Sequence, residues 1–216
     1  MYKIIFLLIF MPLTALAQTF TQEPVKGMSH LRLLHISHYD RYGKPTVGEL
    51  ICNKSIAADL LDIFRELYKA KYRIERMETV DHYDGDDDRS MAANNTSCYN
   101  YRTMTGSTKR LSKHAQGLAI DINPLYNPYV APSKTSNPSK TSKTSKTSDP
   151  SDPSKAIVKP ESGRPYAFNR DKVTEPWQGA IIRRGDICHQ LFIKHGFKWG
   201  GAWKSLKDYQ HFEKDL

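Results

Sequence analysis

The stretch Leu111–Asn123 reads LSKHAQGLAIDIN and places His114 seven residues before Asp121. Far downstream, the segment Asp208–Glu213 reads DYQHFE and supplies a second histidine, His211. Two histidine nitrogens and one carboxylate oxygen form a three-ligand zinc site that leaves the fourth coordination position open. An open position distinguishes a catalytic zinc ion from a structural one. The two segments together therefore predict a zinc hydrolase.

The glycine between His114 and Asp121 indicates how these two residues converge. Gly117 permits the chain reversal that brings a histidine in a loop toward an aspartate on a strand. We predict that strand over Leu118–Ile122. A histidine seven residues before an aspartate is a weak signal by itself, because most histidines are ordinary surface or core residues. The prediction therefore depends on the residues around the pair.

The surrounding residues resemble one known family. The motif S-x-H-x-x-G-x-A-x-D-I-N at Ser112–Asn123, together with D-x-x-H-F-E at Asp208–Glu213, resembles the D-alanyl-D-alanine carboxypeptidase and dipeptidase family of zinc peptidases. Four further segments look like its VanY and phage L-alanyl-D-glutamate endolysin branch: Tyr101-Arg102, Gly106-Ser107, Asn123-Pro124 and Gly196–Trp203. The resemblance extends from about Gly48 to Glu213, apart from one insertion.

The resemblance implies a role for each of five residues. It implies that His114, Asp121 and His211 bind the zinc ion. It also implies that Asp208 takes a proton from zinc-bound water and that Arg102 is a cation near the scissile carbonyl. Zinc lowers the pKa of bound water to about 7, so a nearby carboxylate can pass the proton to the leaving amine. A guanidinium can stabilise the oxyanion or bind a substrate carboxylate, and both roles stay open.

Two acidic residues near His211 compete for the role of base. On a regular strand, Glu213 shares the face of His211, whereas Asp208 points to the opposite face unless the chain turns between them. Asp208 follows the Gly200-Gly201 loop and can lie at such a bend. We favour Asp208, mainly on the resemblance and because a base must reach the water before its pKa matters.

The spacing of apolar residues predicts the fold class. An apolar stripe at helical spacing follows Asn53-Lys54-Ser55 and consists of Ile56, Leu60, Ile63, Phe64 and Leu67. A second helix is predicted over Asp186–His195, with Ile187, Leu191 and Phe192 facing inward, and further strands over Arg73–Tyr83 and Tyr209–Glu213. No βαβ rhythm is present, so we predict an α+β fold. The resemblance further implies a single small domain with a central antiparallel sheet flanked by helices and the zinc site at the sheet, like the hedgehog and D-Ala-D-Ala peptidase domains.

The amino-terminal residues have the pattern of a secretory signal. Met1–Ala17 contains one lysine, the apolar run Ile4–Met11 and the small-residue cleavage pattern Ala15-Leu16-Ala17. The apolar run is shorter than the ~20 residues needed to span a bilayer. We therefore expect cleavage after Ala17, no stable membrane insertion and a secreted or periplasmic protein. Residues 18–47 are predicted as an amino-terminal extension and residues 48–216 as the zinc peptidase domain.

Residues 132–155 interrupt this predicted domain. They repeat Ser-Lys-Thr units with Asn-Pro and Asp-Pro between them and carry too few apolar side chains to offset the entropy of ordering. We predict a disordered surface insertion. Because it separates the two halves of the metal site, its ends should lie close together. Its lysines could contact an anionic wall, or the loop could simply be tolerated, and both readings stay open.

The net charge of the chain indicates which kind of partner it can bind. The chain carries 32 basic and 23 acidic residues, a net charge of +9. Without residues 1–17, which contain Lys3, 31 basic residues face 23 acidic ones and the charge is +8. A protein with this charge is suited to binding anionic surfaces. Nucleic acid is not indicated, because the sequence contains no recognition motif of aromatic and basic residues.

Cys52, Cys98 and Cys188 are consistent with one disulfide and a free thiol, or with three buried thiols.

The leading hypothesis is a monomeric zinc peptidase, with Zn²⁺ as cofactor, that acts on peptidoglycan stem peptides. The sequence leaves open whether it is a D-Ala-D-Ala carboxypeptidase or an L-Ala-D-Glu endopeptidase. The alternative is a non-catalytic, zinc-containing module of the same fold that binds the cell wall or acts in signalling. The presence of Asp208 and Arg102 argues against that alternative, because a binding module needs no base at the open coordination position.

Overall fold

The computed structural model describes residues 18–104, 107–132, 155–168, 170–172 and 180–216. The strands are β1 (Phe20–Val25), β2 (Met28–Tyr39), β3 (Pro45–Asn53), β4 (Arg76–Met77), β5 (Asn95–Thr96), β6 (Ala119–Asp121), β7 (Tyr129–Pro132), β8 (Ala156–Lys159), β9 (Lys198–Trp199), β10 (Lys207–Asp208) and β11 (His211–Glu213). The α-helices are α1 (Ala57–Lys69), α2 (Asp87–Ala92), α3 (Arg164–Phe168) and α4 (Ile187–Lys194). The predictions for residues 1–17 and for most of the insertion concern residues outside those described.

The first sheet packs against α1 and forms one side of the core. Strands β1, β2 and β3 pair antiparallel in that order. The predicted stripe on α1 is confirmed, because all its members are buried. Leu34 and Ile36 of β2 belong to the same hydrophobic cluster as Phe64 of α1 and Phe192 of α4. The predicted boundary between the amino-terminal extension and the peptidase domain, at residues 47 and 48, falls inside β3.

A second small sheet carries the predicted metal ligands. Strand β11 lies between β6 and β9, and its His211 pairs directly with Asp121 of β6. Directly opposed residues on antiparallel strands project to the same face, and their sequence neighbours project to the other. Phe212, the next residue, accordingly stacks on Phe192 of α4 at 4.2 Å between ring centroids. One face of this sheet therefore anchors it in the core, and the other presents His211 beside Asp121.

The third sheet flanks the insertion. Strand β7 pairs antiparallel with β8 on one side and with β10 on the other. Pro132 is the register partner of Ala156, so the two ends of the insertion lie side by side, as predicted. Residues 133–154 lie outside those described. Because β10 contains Asp208, this sheet also fixes the residue predicted to be the base.

Three details of the predicted fold were wrong. Helices and antiparallel strands are present as predicted, but the strands do not form one central sheet. In the described part of the chain they form three three-stranded antiparallel sheets and one parallel pair, β4 with β5. The predicted strand Arg73–Tyr83 is limited to β4, because Glu78 donates its amide to the Asn95 side chain and a 3₁₀ helix follows over Val80–Tyr83. Ile187 is 43% exposed, and Cys188 faces inward instead.

The three cysteines are buried free thiols, which selects one of the two alternatives left open by the sequence. Burial raises the pKa of each thiol, and that of Cys52 reaches about 12. Such thiols remain protonated and inert at neutral pH. Among the described residues, no helix combines the length and the apolar content needed to cross a bilayer.

Candidate metal centre and active site

His114, Asp121 and His211 meet at one buried point. His114 Nε2 lies 3.2 Å from His211 Nδ1 and 3.3 Å from an Asp121 oxygen, and His211 Nδ1 lies 3.1 Å from the other oxygen of that carboxylate. Their residues are only 3%, 4% and 7% exposed. Within the described parts of the chain, this is the only group of three or more His, Cys, Asp or Glu residues whose ligand atoms converge closely enough to hold a metal ion.

The second nitrogen of each imidazole fixes which nitrogen is available to a metal. His114 Nδ1 donates to the carbonyl of Cys98 at 2.7 Å, which leaves the lone pair on Nε2. His211 Nε2 donates to the carboxylate of Glu213 at 3.2 Å, which leaves the lone pair on Nδ1. Both lone pairs face the Asp121 carboxylate. Outer hydrogen bonds of this kind orient the ligands of metal sites in proteins.

The donor set and its spacing fit zinc. Zinc binds imidazole nitrogen and carboxylate oxygen at about 2.0–2.2 Å in a tetrahedral arrangement. In such a tetrahedron, neighbouring ligand atoms lie roughly 3.3–3.6 Å apart. The distances of 3.1–3.3 Å among His114 Nε2, His211 Nδ1 and the two Asp121 carboxylate oxygens are close to that spacing. Two lone pairs and a carboxylate at this range also require a positive charge between them, which a metal ion or a proton can supply.

The pKa values of His211 and Asp121 reflect the same need for a positive charge. Burial alone would lower the pKa of His211, but its hydrogen bonds to Asp121 and Glu213 and the nearby negative charges raise it to about 10. Burial alone would raise the pKa of Asp121, but both histidines hold it well below its usual range. Asp121 is therefore ionised throughout the neutral range and ready to bind a cation.

A glycine with a left-handed backbone sets the position of His114. The residues His114–Gln116 form a single 3₁₀ turn that Gly117 ends with φ of +66°. A Cβ atom on Gly117 would lie 2.6 Å from the backbone nitrogen of Asn53, at the end of β3. The reversal predicted from the sequence is present and leaves no room for a side chain.

We expect Gly117→Ala to lower the free energy of unfolding by about 3 kcal/mol. A left-handed conformation costs an L-residue about 1–2 kcal/mol, and overpacking adds about 1–3 kcal/mol. The control is Gly85→Ala, because Gly85 has φ of +74° but no atom within 4 Å of its added Cβ. Chemical denaturation of both variants measures the difference. Equal losses in the two variants would show that the contact with β3 has no effect.

Asp208 lies beside the three predicted ligands, at the bend that the sequence allowed. Strand β10 ends at Asp208 and β11 begins at His211, so the chain turns between them. Asp208 Oδ1 is buried without a hydrogen-bond partner in the described structure. Burial raises the pKa of Asp208 to about 6; the charge of His211 opposes this rise and that of Asp121 adds to it. A buried carboxylate oxygen with no donor is poised to receive a proton.

Gly200 makes this arrangement possible by its lack of a side chain. A Cβ atom there would lie 2.7 Å from the Asp208 carbonyl oxygen, 2.8 Å from the Asp208 Cβ and 3.3 Å from the His211 Cβ. The backbone of Gly200 therefore packs directly against both residues. The sequence indicated a bend near Gly200-Gly201 but not this contact.

Arg102 is not part of the ligand cluster. Its guanidinium forms an ion pair with Asp87 in the first turn of α2, with 3.0 Å between Nε and Oδ2. Its backbone carbonyl accepts the amide of Ser112, which ties it to the segment that leads to His114. Asp87 also accepts from the side chain of Asn100. The role of Arg102 near a scissile bond stays a prediction.

The two tryptophans flanking Gly200-Gly201 occupy different environments. Trp199 is buried in the core, and its indole nitrogen donates to the Tyr209 carbonyl at 2.9 Å. Trp203 is half-buried, and its ring lies 5.4 Å from the ring of His211. Trp203 is therefore placed to form a wall beside the predicted metal ligand His211. The sequence could not assign the two rings, because neither lies in a segment with a periodic apolar pattern.

Comparison with known proteins identifies a family for this chain. A family model described as D-alanyl-D-alanine carboxypeptidase matches residues 105–214. The match includes His114, Asp121, Asp208 and His211, and it begins just after Arg102. No curated protein and no solved structure matches the chain significantly.

Proposed function

The chain belongs to the D-alanyl-D-alanine carboxypeptidase family, and on that basis we propose that it is a secreted zinc metallopeptidase acting on peptidoglycan stem peptides. The main support for the proposal is that the buried side chains of His114, Asp121 and His211 converge. Beside them lies Asp208 Oδ1, which has no hydrogen-bond partner in the described structure. Secretion rests on the signal pattern of residues 1–17.

The chemistry follows from the positions of these side chains. His114 Nε2, His211 Nδ1 and the Asp121 carboxylate would hold a zinc ion. Bound zinc would polarise the substrate carbonyl as a Lewis acid and lower the pKa of a coordinated water to about 7. Asp208 Oδ1 accepts a proton from the attacking water and returns it to the leaving nitrogen as the C–N bond breaks. Burial raises the pKa of Asp208, and a carboxylate with a raised pKa is well suited to both proton transfers.

Two further side chains would act on the substrate. Trp203 offers an apolar wall next to His211, against which a small side chain such as that of alanine can pack. Arg102 would stabilise the oxyanion or bind a terminal carboxylate while it stays paired with Asp87. The net positive charge of the chain favours approach to an anionic cell wall.

Digestion of purified peptidoglycan by the zinc-loaded protein, followed by mass spectrometry, tests the proposal. Loss of one D-alanine per stem identifies a carboxypeptidase, and separation of L-alanine from D-glutamate identifies an endopeptidase. A zinc-loaded protein that yields neither product refutes the wall-peptidase proposal. Binding to peptidoglycan without hydrolysis would instead favour a non-catalytic module.

We expect Glu213→Gln to weaken zinc binding by about 10–100-fold without abolishing hydrolysis at saturating zinc. Glu213 accepts the hydrogen bond from His211 Nε2, and loss of such an outer carboxylate typically has an effect of this size. Competition with a zinc chelator measures the affinity. The control is Glu49→Gln, because Glu49 also lies beside a histidine, His35, but outside the cluster. Complete loss of hydrolysis at saturating zinc would indicate that Glu213, not Asp208, is the base.

A further inference from the structure

Arg170 occupies a central place among the segments that build the site. It lies in a 3₁₀ turn, Arg170–Lys172, on the chain that returns from the insertion through β8 and α3. Its guanidinium donates to four acceptors: the carbonyls of Tyr126, Tyr166 and Ile182 and the side-chain oxygen of Asn127. All four acceptors are neutral, and they come from three separate segments.

Asn127 links Arg170 to the strand that carries Asp121. The side-chain amide of Asn127 donates to the carbonyls of Ile122 and Asn123, the two residues that follow Asp121. The oxygen of the same amide accepts from Arg170 Nη2 at 2.8 Å and from the Ile182 amide at 2.8 Å. Asn127 is fully buried, so each of these bonds is shielded from water.

Arg170 also contacts the turn between Asp208 and His211. The guanidinium carbon lies 4.0 Å from the centre of the Tyr209 ring. Stacking of a guanidinium on an aromatic face is attractive, and more so when water is excluded. Tyr209 follows Asp208 directly and precedes His211 by two residues. The carbonyl of Gln210, between them, accepts the amide of Ile122, so the two ligand-bearing segments are also joined directly.

We infer that Arg170 is a positioning residue that holds the Asp121 strand and the Asp208–His211 turn in register, so that the ligands and the base meet in one geometry. This inference rests on the proposed metal site. It assigns a function to the segment that runs from β8 to the Arg170–Lys172 turn, none of whose described residues is a predicted ligand. Arg170 acts through Asn127 on one side and Tyr209 on the other.

The test uses Co²⁺ in place of zinc, because its visible absorption reports ligand geometry without any hydrolysis. We expect Arg170→Met and Tyr209→Leu each to change the Co²⁺ spectrum and to weaken Co²⁺ binding about tenfold. Tyr209→Phe keeps the aromatic face and should keep the wild-type spectrum. The double variant Arg170→Met/Tyr209→Leu should be little worse than Arg170→Met alone, because Arg170→Met already removes the contact with Tyr209.

Arg164→Met is the matched control. Arg164 lies on the same returning segment but pairs with Glu161, so its loss should leave the spectrum unchanged. A folded Arg170→Met variant with a wild-type spectrum and affinity would overturn the inference, even if its thermal stability fell. Should Arg170→Met fail to fold, Tyr209→Leu decides the question in the same way.

The experiments distinguish a failure of the proposed function from a failure of this inference. If zinc-loaded wild-type protein does not cleave stem peptides, the peptidase proposal fails, but the Co²⁺ spectra still report on Arg170. If wild-type protein does cleave them, Arg170→Met should lower kcat about tenfold with little change in KM. An unchanged kcat in that variant would count against the inference.

Discussion

Replacing Asp208 with alanine should lower kcat by about 10²–10⁴-fold while one zinc ion per chain stays bound. Asp208 Oδ1 is buried beside the ligands and has no hydrogen-bond partner in the described structure. The alanine variant keeps all three predicted ligands but has no group to take up the proton. Asp208→Asn gives the closer comparison, because the amide keeps the shape of the side chain and cannot serve as a base. Stem-peptide hydrolysis and metal analysis of the same samples measure both quantities.

The control for this prediction is Glu213→Gln at saturating zinc. Glu213 was the alternative base, and it hydrogen-bonds to His211 Nε2, on the far side of the ring from the ligand atom. We expect the Glu213 variant to retain most of its kcat once zinc is saturating. A zinc-loaded Asp208→Ala enzyme with wild-type kcat would refute the assignment of the base.

Replacing Asp121 with alanine should remove the metal and lower kcat/KM roughly a thousandfold or more. Asp121 supplies the only negative charge among the three predicted ligands and lies between the two imidazoles. Its loss leaves two neutral nitrogens, and the stabilisation that a Lewis acid gives to the transition state is worth several kcal/mol. Zinc content after gel filtration and hydrolysis of stem peptides measure the two effects.

Removal of the metal from wild-type protein provides the matching experiment. A chelator should abolish hydrolysis, and added zinc should restore it in wild-type protein but not in Asp121→Ala. The Asp208→Asn variant separates metal loss from loss of the base, because it should keep its zinc. An Asp121→Ala protein that retains one zinc ion per chain would contradict the assignment of this ligand.

The sequence predicted those parts of the structure that are repeated or chemically distinctive. The apolar stripe of α1 recurs at every turn, so its buried face could be read directly from the spacing. The convergence of His114, Asp121 and His211 could be predicted because few side chains bind metals and because the motif around them is specific. The ends of the insertion had to meet because residues on both sides of it contribute to one site.

Other features could not be predicted because they depend on single contacts between distant segments. Strands β4, β9 and β10 have two residues each, which is too short for any alternation of apolar and polar side chains. Strand β1 is mostly exposed, so its role in the first sheet leaves no apolar pattern. The contacts of Arg170 with Asn127 and Tyr209 join residues 43 and 39 positions away along the chain.

Anomalous scattering at the zinc edge, measured from crystals of the zinc-loaded protein, is the most direct test of the proposed metal site. We expect one strong peak per chain, about 2 Å from His114 Nε2, His211 Nδ1 and an Asp121 carboxylate oxygen. The Asp208 carboxylate should lie next to the peak without coordinating the zinc ion. A peak at any other group of residues, or no peak in this cluster at full zinc loading, would contradict the assignment of His114, Asp121 and His211 as the zinc ligands.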